Sequence, residues 1–198
     1  MTRARLALVA LTAGALAACH GQPVADTGGN ASAPVAPPQT TIQQYMEQQI
    51  NPAAEAAFRS VREVADEKGQ RLEQPGDEAA WQQLEAKLEI LRDAPAVLTA
   101  PGLRVAPPGF KAENPAVESE PGAIQTAIDQ NRDDFAKRAD RLRIAAAEAL
   151  LAAKARDPKG MIKMLEGLDR ACESCHLRYF YPGDQRAQQA ARASYILN

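Results

Sequence analysis

The sequence predicts an all-α fold, a four-helix bundle, from three observations. Strand signals are nearly absent: aromatic residues make up 5% of the chain, and no run of alternating β-branched residues stands out. Four segments instead repeat apolar residues at intervals of three and four, the period of a helix with one buried face. Residues 41–198, which hold all four segments, have the length of one domain.

The N-terminus is set apart from that domain. Met1 to Ala18 has a basic start, Arg3 and Arg5, and then an apolar run from Leu6 to Ala18. This is the pattern of a secretory signal, too short for a spanning helix. Leu16-Ala17-Ala18-Cys19 resembles the lipobox of bacterial lipoproteins. The resemblance implies cleavage before Cys19 and a lipid anchor on Cys19; with His20 rather than Asp next, it points to the outer membrane. The alternative is an ordinary cleavage site and a free Cys19. Gly21 to Thr40 is rich in Pro, Ala, Gly and Ser, a composition that reads as a disordered tether. The expected divisions are a signal peptide at 1–18, a lipidated Cys19 with its tether at 19–40, and the bundle at 41–198.

Each helix has its own signals. In the first, Thr40 or Thr41 caps a run in which Ile42, Met46, Ile50, Ala53, Ala57, Val61 and Val64 share one stripe until Gly69 stops it. Pro52 removes a backbone donor and is expected to kink that helix or split it at Asn51. The second helix begins after Pro75-Gly76 with Asp77 as cap and buries Trp81, Leu84, Leu88 and Leu91; Pro95 is expected to bend or end it before Val97-Leu98. Ala100 to Pro121, rich in proline, reads as a long crossover loop. The third helix runs from near Gly122 to about Arg156, with Ile124, Ile128, Phe135, Ala139, Leu142, Ala146 and Leu150 inward. After Asp157-Pro158 the fourth carries Ile162, Leu165, Leu168, Cys172, Cys175 and Tyr179 on one face, and Pro182-Gly183 ends it. The tail from Asp184 adds a short helix with Ala191 and Tyr195 packing back.

The fourth helix also carries the chemistry. Cys172-Glu173-Ser174-Cys175-His176 has the C-x-x-C-H spacing of c-type haem attachment, in which two thiols bond the porphyrin vinyl groups and the adjacent imidazole binds iron. At i, i+3 and i+4 of a helix all three project from one face toward one flat ligand. Three other readings compete. A zinc site wants about four N or S ligands, whereas the chain has three cysteines and two histidines, with Cys19 and His20 at the far end. A redox C-x-x-C wants a βαβ context, and nothing here alternates strand with helix. The third is a pair of buried structural thiols that happens to precede a histidine. With one cysteine for lipid and two for haem, no disulfide is expected.

These residues extend into a wider likeness. Cys172, Cys175 and His176 near the C-terminus, Tyr179 three residues later, the Tyr45-Met46 to Ala54 segment and the Trp81 to Leu91 helix together resemble the cytochrome c′ family. The resemblance spans the predicted domain, although outside C-x-x-C-H its motifs are loose. It implies a four-helix bundle with one covalent haem c in the core, attached to the last helix, and His176 as proximal ligand. The family often has a basic residue after the tyrosine; here that position is Phe180, and Arg178 precedes the tyrosine. Bundle proteins of this kind bring a first-helix side chain over the distal face, a position that Met46 matches; Met161 and Met164 are badly placed for it.

The sixth iron position separates the expected functions. Filled by a side chain, it suits a one-electron carrier; empty, it suits binding of small gases such as nitric oxide or carbon monoxide. Electron transfer is the leading expectation. An enzyme is not expected, since carboxylates such as Glu63, Asp66 and Glu67 fall on solvated helix faces, and Lys137-Arg138 with Arg141 and Arg143 reads as an exposed face. The chain carries 23 Lys and Arg against 25 Asp and Glu, a balance that argues against nucleic acid and against a polybasic membrane surface. The expected partners are redox proteins of the cell envelope on its periplasmic side and the membrane through Cys19; a homodimer is compatible with the sequence.

Overall fold

The computed structural model describes residues 40–67, 69–186 and 188–189. The signal sequence, the tether up to residue 39, Cys19, His20, Ala191 and Tyr195 lie outside the described residues. The described chain is mostly helical, with one two-stranded sheet. It opens with α1 (Ile42–Tyr45), a π-helical segment (Met46–Ile50) and α2 (Asn51–Ser60), followed by strands β1 (Arg62–Asp66) and β2 (Gly69–Glu73). Then come α3 (Glu78–Leu98), α4 (Pro121–Gln130), α5 (Arg132–Lys154), α6 (Pro158–Cys175) and a second π segment (His176–Phe180).

Thr41 starts the first helical element through a capping box. Its hydroxyl accepts from the Gln44 backbone N–H at 3.3 Å, and the Gln44 side chain accepts from the Thr41 N–H at 3.1 Å. The run continues through Pro52 but changes at Asn51 from a π-helical segment to α2. The helix widens before it, with the Asn51 N–H reaching the Met46 carbonyl five residues back. Pro52 thereby falls in the first turn of α2, where a missing donor matters least.

The expected continuation of this helix to Gly69 is corrected. α2 ends at Ser60, Val61 is extended, and β1 pairs antiparallel with β2 in an exposed hairpin. Glu63 and Asp66 thus lie on a strand rather than on a helix face. Cross-strand charges favour this arrangement: Arg62 bonds Glu73 at 2.6 Å and Arg71 pairs with Asp66. Gly69, at φ +100°, takes the left-handed conformation that the turn needs. Val61 still reaches the core.

α3 begins as expected, with Asp77 accepting from the Ala80 N–H at 2.8 Å. Trp81, Leu84, Leu88 and Leu91 are buried. Pro95 does not end the helix, which runs through it to Leu98. Ala94 and Leu98 are buried on either side, so core contact outweighs the lost bond. Residues 99–120 form the long connection without helix or strand of their own. It is stitched down where Arg104 and Val105 carbonyls accept from the Ile42 and Gln43 N–H groups, each at 2.9 Å. Leu103 and Val105 are buried there, while Phe110 is exposed.

The expected third helix is two helices. Its inward stripe from Ile124 to Leu150 is buried as anticipated, but the chain breaks at Asn131, whose side chain bonds the Ala127 carbonyl at 2.8 Å. An asparagine amide competing for backbone groups is a known way to interrupt a helix. α6 starts with Asp157 accepting from Gly160 N–H at 3.0 Å and Pro158 in the first turn. The main seams join α3 to α5, α5 to α6 and α2 to α3. Among the described residues no helix is long and apolar enough to cross a membrane.

Candidate functional site

The last turn of α6 brings Cys172, Cys175 and His176 together. The His176 N–H bonds the Cys172 and Glu173 carbonyls, so the motif keeps α-helical spacing to its end, and the three side chains span an arc of roughly 100°. Directly after it the chain widens, with Tyr181 N–H bonding the His176 carbonyl at 2.8 Å. Residues 172–176 are all half-buried. Cys172 and Cys175 are free thiols packed against the hydrophobic core.

Burial sets the protonation of this face. It pushes the Cys172 thiol up to about 12, with the carboxylates of Asp169 and Glu173 adding to the effect. Burial likewise pushes Cys175 up to about 11, against the opposing pull of Arg138. Both are neutral thiols at pH 7. Burial also lowers the pKa of His176, although Glu173 opposes it. The imidazole is therefore neutral at pH 7, the form that binds metals.

Aromatic rings fix that imidazole edge-on. Phe180 lies 5.9 Å from it at 76°, and Tyr181 lies 5.7 Å away at 66°. The π segment carrying Phe180 is held from outside by the long connection, whose Ser119 N–H bonds the Phe180 carbonyl at 2.8 Å. From the inside it is held by Tyr179, only 1% exposed, which stacks edge-on against Phe135 at 5.4 Å.

A polar network ties the motif to α5. Arg138 donates to the Ser174 carbonyl at 2.6 Å and to Asp134 at 2.8 Å. Asp134 also accepts from the Tyr179 hydroxyl at 2.9 Å, and the Arg178 guanidinium lies 3.8 Å from the same carboxylate. Arg138, taken from sequence as part of a solvated face, is instead half-buried and serves the motif. Its spacing of four from Asp134 was the available signal; the contact with Ser174, far along the chain, had none.

The structure places the methionines that the sequence offered in or against the same hydrophobic core as the two cysteines. Met46 begins the first π segment, is half-buried, and packs against the same hydrophobic core as Cys172, Cys175 and Phe180. Met161 is fully buried within that core and Met164 is half-buried against it. An open groove of about 410 Å³ lies between Phe58 and Val61, at the end of α2, and Ile162, Leu165 and Asp169 of α6. Asp169 is one turn before Cys172. Among the described residues no three His, Cys, Asp or Glu side chains converge as a metal-ligand cluster.

Two free thiols and one neutral imidazole on a single half-buried helical face fit a flat macrocycle bound at its edge and at its metal. The donor set provides two points of covalent attachment and one nitrogen ligand. The chain matches no protein-family model, no curated protein and no solved structure.

Proposed function

We propose that this chain is an exported c-type haem protein that carries single electrons in the cell envelope. The observation that supports it is the shared face of Cys172, Cys175 and His176 at the end of α6, half-buried, with both thiols unpaired and the imidazole neutral. In this reading α1 with α2, α3, α4 with α5, and α6 are the four arms of a bundle, and one haem c lies against α6. The Cys172 and Cys175 thiols form the thioether links and His176 is the proximal ligand. Met46, half-buried against the same core, is the sixth ligand. π segments recur at functional sites in helical proteins, and both proposed ligands begin one.

Once bound, the haem supplies a one-electron couple. The chain's own groups do the rest. The aromatic edges of Phe180 and Tyr181 hold the His176 plane. Arg138 fastens the Ser174 carbonyl and so the turn between the two cysteines. Lipid on Cys19 tethers the domain to the periplasmic side of the envelope, at the outer membrane, where redox proteins are its partners. Optical spectra of the purified holoprotein, oxidised and reduced, with and without carbon monoxide, test the proposal. A low-spin haem that binds carbon monoxide poorly is expected; a high-spin haem that binds it readily would make this a gas-binding protein.

A further inference from the structure

We propose that Glu173, between the two cysteines, is a positioning residue for His176: its carboxylate takes the Nδ1 side of the imidazole, leaves Nε2 for iron, and lowers the reduction potential. The inference rests on the haem reading above. Glu173 Oε1 stands 3.8 Å from His176 Nδ1, one helical turn back. At that distance the carboxylate faces Nδ1 without a hydrogen bond; in the proposed arrangement it accepts the Nδ1–H once Nε2 binds iron.

The surroundings leave few alternatives for the ring. Phe180 and Tyr181 meet it edge-on and restrict its rotation. A neutral imidazole has a single N–H, and a carboxylate facing Nδ1 draws that hydrogen to Nδ1. The lone pair then lies on Nε2. Metal-bound histidines generally donate the other ring N–H to a carboxylate, a carbonyl or water, and a carboxylate makes the ligand more basic. A more basic ligand and a nearby negative charge both favour ferric over ferrous iron, so the potential falls.

Asp169 supplies the control. It also acts on His176 electrostatically, but it lies a further turn from the ring, and no hydrogen bond joins the two. Its removal tests charge without contact.

The experiment compares wild-type, Glu173→Gln and Asp169→Asn holoproteins by potentiometric titration and by NMR of the His176 Nδ1 proton in the cyanide-bound ferric form. Glu173→Gln is expected to shift the reduction equilibrium toward ferrous by about tenfold, about 59 mV for one electron, and to speed exchange of the Nδ1 proton. Asp169→Asn is expected to give a smaller shift and leave that exchange unchanged. Equal potentials and equal exchange in wild type and Glu173→Gln would overturn the inference while leaving the haem reading intact. Equal shifts in both variants with unchanged exchange would overturn it too, reducing Glu173 to one of several surface charges. Covalent haem content, measured first in each variant, separates these outcomes from failure of the haem reading, because a wild type without haem would sink both.

Discussion

Tyr179 donates its hydroxyl hydrogen to the Asp134 carboxylate at 2.9 Å, joining the segment after His176 to α5 across a part-buried seam. The same carboxylate accepts from Arg138, which in turn fastens the Ser174 carbonyl inside the C-x-x-C-H motif. Tyr179→Phe keeps the ring against Phe135 and removes only the hydroxyl. It is expected to lower stability by about 1 kcal/mol, read as a lower midpoint in thermal or urea unfolding of the full chain. A midpoint equal to wild type would show that the bond contributes nothing.

The Arg138 and Tyr179 hydrogen bonds hold the Asp134 carboxyl below its ordinary range. A depressed folded-state pKa contributes stability above the unfolded value, about 3.9, and that contribution disappears as pH falls through the folded value. Asp134→Asn should therefore be the less stable protein at pH 7 and converge on wild type below about pH 4. Parallel stability curves from pH 7 to pH 3 would contradict this.

Arg156 occupies the left-handed region at φ +55° where α5 ends. Its guanidinium pairs with Glu78 and Glu85 of α3 and lies over the Trp81 ring at 5.6 Å. Substitution therefore loses contacts between α3 and α5, but glycine, unlike alanine, relieves the backbone. Arg156→Ala is expected to be destabilised by more than Arg156→Gly, with a difference of roughly 1 kcal/mol in denaturant unfolding. The reverse order would show that strain at this position is negligible.

In the haem-free folded protein Cys172 and Cys175 are protonated, since burial has raised both thiols. Because the thiolate is the nucleophile, alkylation with iodoacetamide at pH 8 should run at least about tenfold slower than for an exposed cysteine and accelerate on adding denaturant. Fast alkylation of the folded apo-protein would place these thiols in water instead. Methionine ligation has its own signature. A ferric sulfur-to-iron charge-transfer band should be present in wild type and lost in Met46→Ala; spectra unchanged by the substitution would remove Met46 from the iron.

The sequence made the helices legible because their apolar stripes are long. The stripes Trp81, Leu84, Leu88 and Leu91, Ile124 to Leu150, and Leu165 with Leu168 are buried as their spacing predicts, and Thr41 and Asp77 cap where their side chains indicate. The hairpin at 62–73 was hidden because Val61 and Val64 also fit a helical stripe. What decides for strands is the cross-strand pairing of Arg62 with Glu73, a contact between residues far apart in a single-helix reading. Pro95 misled in the other direction: burial of Ala94 and Leu98 carries the helix through it. At the site, the motif was plain from three residues, while its supports were not. Arg138 is an ordinary charged helix residue until α5 and α6 are laid side by side and its guanidinium meets the Ser174 carbonyl.

Covalent attachment of haem is tested by the intact mass of the protein, matured in a periplasm alongside a control cytochrome c and then denatured in acid. Thioether bonds survive denaturation, so the expected mass exceeds the polypeptide by one haem, an increment lost or reduced in Cys172→Ala and in Cys175→Ala. An unmodified polypeptide mass, with the control fully matured, would contradict it.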